Sequence, residues 1–317
     1  MSVALVPPKP QWGVRIRNVR FYTLNDFLTE KQAPRTLLLP TSEQAARTIS
    51  RRAAGLRGRC LTLTCPIRDI ERLQDKLKLQ RTAKERGLTA YFPTHYPNAK
   101  SRAFPCIMKP ADGVWGKGVK IVRTPDEARA WKTKHGSSTR WVYQELITGR
   151  REMSTLLVVR DGEIKSAMTS TYTYDSAEYV WPHAEQVRHT FTTRLSKQRR
   201  AVFEALLRDY TGVCNVNYKT KAGTVKILEV NARVGADLRD APPDNARAFL
   251  DVAFAEALGC YDRVVPYKEV KSIANEPSKC IDIAGDAAVR SRLNHSLQNN
   301  VANTLLVGAT HGDQFGQ

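Results

Sequence analysis

The chain has 317 residues, 42% of them hydrophobic, enough to bury a sizeable core and to exclude a disordered chain. Fifty Lys and Arg against 31 Asp and Glu give a formal charge of +19, compatible with an anionic substrate, an acidic carrier or partner, or nucleic acid. No signal peptide opens the sequence and no window approaches the roughly 18–20 apolar residues of a membrane span, so the expectation is a cytoplasmic protein without membrane association.

In chain order, residues 1–20 are Pro-rich and then basic. GVRIRNVRFY alternates as a strand, and TLNDFL opens a helix at Thr23 or Asn25. TLLLP (36–40) predicts a short buried strand. TSEQAARTISRRAAG predicts a helix capped by Thr41 or Ser42 and stopped by Gly55, and CLTLT another strand. This βαβ alternation predicts a small α/β lobe. One helix is expected over IRDIERLQDKLKLQRTAKERG, ending at Gly87, then a loop over 91–105. CIMKPADGVWGKGVKIV reads strand, glycine loop, strand. TPDEARAWKTKHG reads as a helix with Thr124 as cap and Pro125 in the first turn. RWVYQELI and STLLVVRDGEIKSAMTSTY read as strands, the latter turning at Asp161-Gly162. Residues 175–195 read as irregular, 196–212 as a helix capped by Ser196, and CNVNYKTKAGTVKILEVNARVG as a hairpin. PDNARAFLDVAFAEALG is a helix. Strand-like RVVPY, CIDIA and TLLVG surround a helix at 286–298, before a loose tail. The six cysteines are scattered without a CxxC or Cys/His cluster, which points to reduced thiols rather than zinc.

Two segments carry chemistry. In KPADGVWGKGVKIV, Gly113, Gly116 and Gly118 lie between two strands with no helix directly following, so this is neither a Walker loop nor a dinucleotide fingerprint. A glycine hairpin can still lay backbone N–H groups over phosphates, with Lys109 as a point charge at the strand end. A purely structural glycine hairpin is the alternative. In KILEVNARVG, Glu229, Asn231 and Arg233 recur at every second position and so share one face of a strand; a solvated edge strand does the same. A three-residue loop at 222–224, with Gly223 left-handed, sets Asn217 opposite Glu229. Asn217, Glu229 and Asn231 then form an oxygen-rich patch suited to Mg²⁺ whose shell is completed by phosphates. A two-residue loop would turn Asn217 to the other face.

Taken together and in this order, the segments over roughly residues 70–258 resemble the ATP-grasp superfamily. Asp75-Lys76 opens a helix as in that family, where the lysine contacts phosphates. FPCIMKPADGVWGKGVKIV resembles its second ATP lysine, Lys109, and its flexible loop, with Gly113, Gly116, Lys117 and Gly118. VYQELITGRRE resembles the adenine hinge, with Gln144, Glu145, Leu146 and Ile147 lining the base and Glu152 reaching the ribose. NVNYKTKAGTVKILEVNARVG resembles the metal hairpin, where Glu229 and Asn231 bind Mg²⁺ and Arg233 steadies the transferring phosphate. Many members carry Asp or Glu where this chain has Asn217, so the metal site is poorer here; an amide at that point resembles the carbamoyl-phosphate-synthetase-like branch.

The resemblance implies an α/β chain with an ATP-grasp fold. Its expected parts are a short N-terminal α/β lobe (1–72), a small lobe with the glycine loop (73–141), a large lobe with the metal hairpin (142–259) and a C-terminal extension (260–317). It implies ATP and Mg²⁺ as cofactors and a ligase that joins a small carboxylate to an amine, releasing ADP through an acyl-phosphate. Carbamoyl-phosphate-type chemistry and a non-ligating nucleotide- or nucleic-acid-binding protein are the alternatives. A homodimer is compatible with either. Tyr172, Tyr174 and Arg188 fall where members build the acceptor site, and Arg188 could grip a carboxylate, although a solvated loop arginine is the reading that comes first. His95, His183 and His189 read as surface residues in irregular segments. RRAAGLRGR is either a basic patch or a solvated helix end. The basic residues are dispersed and lack interleaved aromatics, so only weak nucleic-acid binding is expected.

Overall fold

The computed structural model describes residues 2–9, 16, 18–30, 35–96, 103–113, 116–136, 140–181 and 183–264. The elements expected at CIDIA, 286–298 and TLLVG and in the tail lie outside them. Of RVVPY only Arg263 and Val264 are described, as the end of a helix. Contacts group the chain into two units, Met1–Tyr261 and Asp262–Gln317, and the sheets described below belong to the first.

The N-terminal lobe comprises β1 (Ser2–Val6), β2 (Val19–Phe21), α1 (Leu24–Thr29), β3 (Thr36–Pro40), α2 (Glu43–Leu56) and β4 (Leu61–Thr62). Its strands form an all-parallel sheet in the order β2-β1-β3-β4. Every residue of TLLLP is buried, as a parallel strand covered on both faces requires. SVALV was not expected as a strand, and the strand expected at GVRIRNVRFY is described only at Val19–Phe21. Ser42 caps α2 by accepting from the Ala45 N–H, but the helix does not stop at Gly55. It continues to Leu56, whose buried side chain joins the cluster of Phe27, Leu38 and Ile49. Packing thus overrides the local glycine signal.

The single helix expected over 67–87 is two: α3 (Ile67–Gln74) and α4 (Lys76–Glu85). Asp75 between them is extended, and its Oδ1 accepts from the Leu77 and Lys78 N–H groups, so it caps α4 while ending α3. The next sheet is antiparallel, in the order β5-β8-β6-β7: β5 (His95–Tyr96), β6 (Cys106–Pro110), β7 (Lys120–Val122) and β8 (Trp141–Glu145). Helix α5 (Pro125–His135) packs Ala128 and Trp131 on it, and Thr124 caps it as expected. His95 sits in a strand, not a loop.

The largest sheet has the order β11-β10-β9-β12-β13, all antiparallel: β9 (Arg151–Arg160), β10 (Glu163–Tyr174), β11 (Gln186–Thr192), β12 (Gly212–Lys221) and β13 (Thr224–Asn231). Strand β11 corrects the expectation of irregular chain at 175–195. Its mostly exposed, polar residues form an edge strand that carries no buried pattern. Successive residues of β9 serve opposite layers. Leu157 and Val159 meet α3, α4 and α6 (Lys197–Leu207), which Ser196 caps. Leu156 and Val158 meet α8 (Pro243–Val264) and the parallel sheet. Between β13 and α8 lies α7 (Asp237–Asp240), which was not expected. No described helix is long and apolar enough to cross a membrane.

Candidate active site

The site is organised by how the β12–β13 hairpin keeps its register. Its turn has two residues, not three. Lys221 pairs with Thr224, and Ala222 and Gly223 both adopt positive φ (47° and 76°), the geometry that suits a tight hairpin. By parity that turn would set Asn217 on the face away from Glu229. A β-bulge corrects it: Tyr218 pairs with Ile227 but Asn217 pairs with Glu229, so Leu228 is the extra residue. The expected juxtaposition therefore forms by a different route. Asn217 Nδ2 donates to Glu229 Oε1 at 2.9 Å, and Asn231 Nδ2 donates to the same oxygen at 3.2 Å.

Two lysines from the neighbouring elements face this carboxylate. Lys76, the first residue of α4, is buried and its Nζ donates to the Gly113 carbonyl at 2.7 Å. Lys109, on β6, is buried and its Nζ donates at 3.2 Å to the carbonyl of the bulged Leu228. Burial, and then the Lys76 charge, push the Lys109 ammonium down to about 7, against the opposing pull of Glu229 and Glu152. Burial alone would raise the Glu229 carboxyl. Lys76, Lys109, the Asn231 hydrogen bond and Arg233 outweigh it and hold Glu229 below the usual carboxylate range. Glu229 is accordingly ionised between two lysines.

The glycine loop keeps Gly113, Gly116 and Gly118 half-buried and Lys117 exposed. Gly116 has φ +66°, and a Cβ there would collide with the Trp181 carbonyl, so no other residue fits. In the hinge, Gln144 and Ile147 are buried and Leu146 is half-buried. Glu145 turns its carboxylate to Lys221 and to the Thr94 backbone N–H and hydroxyl. Glu152 accepts from the Tyr179 hydroxyl at 3.1 Å, and burial raises its carboxyl against the pull of Lys219. Lys219, on β12, is buried. Its Nζ donates to the Ile147 and Gly149 carbonyls at 3.2 and 2.9 Å and lies 3.9 Å from the Tyr179 ring centre.

Arg233 stands past the end of β13 rather than one pleat along it. Its N–H donates to the Asn231 carbonyl in a sharp turn, and its Nε donates to Glu43 Oε1 at 3.0 Å, tying the site to the first turn of α2. Behind the Asn217 amide lies a buried polar chain. Ser154 Oγ lies 2.9 Å from Asn217 Oδ1 and 2.8 Å from Asp237 Oδ2, and Asn215 donates to both Ser154 and Asp237. Tyr172 donates to Asp237 and Asp240 and stacks on His189. Burial raises the Asp237 carboxyl despite its hydrogen bonds. Tyr174 lies elsewhere, buried against Tyr179 near Glu152, and Arg188 is exposed on β11. Arg188 pairs across the strands with Thr173, between the two tyrosines, whose side chains take different partners.

Lys219, Glu43, Ser154, Asn215 and Asp237 were not expected at the site. Lys219 reads as a solvated hairpin lysine beside Lys221; only its placement two residues after Asn217 on the same strand could have marked it. One ionised carboxylate and two side-chain amides make a thin oxygen set, and among the described residues no group of three or more His, Cys, Asp or Glu could hold a metal. Hard oxygens of this kind fit Mg²⁺ when phosphate oxygens and water complete the shell. Glu229 and Asn231 would hold it. Asn217 presently offers its nitrogen to Glu229 and its oxygen to Ser154.

Comparison with known proteins follows the same lines. A family model described as an ATP-grasp domain matches residues 73–237, and one described as a protein of unknown function (DUF2855) matches residues 219–316. No curated protein matches the chain. Among solved structures, D-alanine–D-alanine ligase from Bacillus anthracis aligns with a TM-score of 0.58 at 17% identity, covering 84% of this chain and 100% of that one. Its complex with ATP gives 0.53 at 15% identity, covering 83% and 98%. VanG D-Ala:D-Ser ligase from Enterococcus faecalis gives 0.51 at 13%, covering 73% of each chain. At these identities the likeness is one of fold.

Proposed function

The chain belongs to the ATP-grasp family, and from that premise we propose that it is an ATP- and Mg²⁺-dependent ligase joining a small carboxylate to an amine, with release of ADP and phosphate. The observation that carries this reading is the ionised, half-buried Glu229, set between the buried Lys76 and Lys109 and held by two amides. Lys76 and Lys109 would neutralise the triphosphate, and backbone N–H groups of the glycine loop would cover it. The hinge from Gln144 to Ile147 would take the base and Glu152 the ribose. Mg²⁺ held by Glu229 and Asn231 would supply further neutralisation of the phosphates. A carboxylate oxygen of the substrate attacks the γ-phosphorus, the bond to ADP breaks, and an acyl-phosphate forms. The amine then attacks the acyl carbon and phosphate leaves. Arg233, steered by Glu43, would meet the charge that develops on the transferring group; such electrostatic placement is the protein's main contribution to phosphoryl transfer. The structural neighbours named above are themselves ligases.

Enzyme, Mg·ATP, hydroxylamine and a panel of carboxylic acids should yield ADP and a hydroxamate, and Arg233→Ala should suppress the hydroxamate about 10²–10³-fold. AMP with pyrophosphate as products would refute attack at the γ-phosphorus. A second reading, a nucleotide-binding protein that does not ligate, is favoured by Asn217 itself, because an amide binds Mg²⁺ more weakly than a carboxylate would at that position. Tight ATP binding with no ADP release, with or without amino acids or bicarbonate, would select it.

A further inference from the structure

Lys219 is a buried ammonium for which neither the phosphates nor the metal has a use. It stands on β12 two residues beyond Asn217, yet it faces the hinge rather than the metal carboxylate. Its strand neighbour at the turn, Lys221, is exposed and pairs with Glu145. Lys219 is 5% exposed and makes two hydrogen bonds to one short loop, through the Ile147 and Gly149 carbonyls. It also lies over the Tyr179 ring, whose hydroxyl donates to Glu152, and the Glu152 carboxylate attracts it. Burying an ammonium is costly unless charge and hydrogen bonds compensate. An apolar residue of similar length would satisfy a merely filled space at lower cost. The compensation found here is local and specific: two carbonyls, an aromatic face and a carboxylate, all belonging to the elements that border the hinge. Gly149 is also tied to Ala177, so the loop is held from both sides.

We propose that Lys219 is a nucleoside-positioning residue, which fixes the hinge loop at Ile147–Gly149 and orients Glu152, and so sets affinity for the base and ribose without acting on the phosphates. This deepens the ATP-binding part of the function proposed above and rests on it. The ligand class is a purine nucleoside triphosphate, and the part of it that Lys219 governs is the nucleoside alone. In this role Lys219 need not touch the nucleotide: it holds in place the hinge loop and the Glu152 carboxylate proposed to meet it.

The test separates the nucleoside from the phosphates by using two probes, ATP and inorganic tripolyphosphate, on the full chain. Binding is measured by calorimetry for wild type, Lys219→Met and Lys219→Arg, with circular dichroism to establish that each is folded. Lys219→Met should weaken ATP about tenfold, the loss expected for hydrogen bonds from a charged donor, and leave tripolyphosphate within about twofold. Lys219→Arg, which keeps the charge and donors, should recover most of the ATP affinity. Unchanged ATP affinity in Lys219→Met overturns the proposal, as does an equal loss for both probes, which would mark general damage to the cleft. If Lys219→Met fails to fold, Lys219→Gln, which removes the charge but keeps a polar side chain, gives the same comparison: ATP weakened and tripolyphosphate spared supports the role, and no difference rejects it. A wild-type chain that binds tripolyphosphate but not ATP overturns the proposal together with the nucleotide reading. ATP bound equally by wild type and Lys219→Met overturns only the proposal.

Discussion

The four-stranded antiparallel sheet and the five-stranded sheet bring opposite chemistry to the site. The smaller sheet and the start of α4 contribute cations, Lys109 and Lys76, each anchored by a backbone carbonyl. The larger sheet contributes acids and amides, Glu152, Asn217, Glu229 and Asn231. Neither set is stable when buried alone, because an isolated charge in a low dielectric is heavily penalised. The difference teaches that this charge pattern is resolved only where the sheets approach, and a polyanion with a divalent cation would satisfy both sides at once.

The sharpest break in that arrangement is Glu229→Gln. It leaves Lys76 and Lys109 without their carboxylate and removes the only acid of the metal set, so ATP turnover should fall about 10²–10³-fold while thermal melting shows an intact fold. Near-normal ADP release would reject the assignment. Next in size is a proton effect at the cationic side. Free Lys109 sits at about 7 and is mostly neutral at pH 8. Bound phosphates favour its charged form and raise that value, so the complex holds more protons than the free protein. ATP binding at pH 8 should therefore take up protons and weaken as pH rises. Calorimetry in buffers of different ionisation enthalpy measures this, and Lys109→Met should abolish it.

Two smaller effects sharpen the contrast through stability. Ser154→Ala strips the Asn217 and Asp237 oxygens of a partner and should cost about 1–3 kcal/mol in urea unfolding. Lys109→Met should instead stabilise the free protein. A lysine with a depressed value costs stability in full below its folded value near 7, and the cost disappears above its ordinary value of 10.5. The gain in melting temperature should thus be larger at pH 6 than at pH 10, and no gain at pH 6 would count against burial as the cause.

Much of this was legible in the sequence because the informative residues sit on regular elements with strong local signals. Thr124, Ser42 and Ser196 cap the helices predicted from them, and the glycine loop, hinge and hairpin occupy the expected segments. What escaped has physical reasons. Helical periodicity runs unbroken through Asp75, because Ile70, Leu73 and Leu79 all face one core, so the break is visible only in the capping hydrogen bonds. Strand β11 buries almost nothing and so carries no apolar alternation. Lys219 and Asp237 are buried by tertiary contacts that no local pattern records. The register of Asn217 was inferred correctly from the wrong turn, since a bulge cannot be read from alternation alone.

That bulge makes the hairpin a pair of cancelling phase errors. The tight turn shifts the strand by one position and Leu228 shifts it back. Straightening the bulge with Leu228 kept in the ladder would pair Leu228 with Asn217 and turn Glu229 to the other side, whereas deleting Leu228 would leave the turn and the Asn217–Glu229 pair in place. What the deletion would remove is the bulge and with it the carbonyl that receives Lys109. A neutral-looking aliphatic residue thereby couples two charged partners on different sheets, and its presence in the chain matters more than the identity of its side chain.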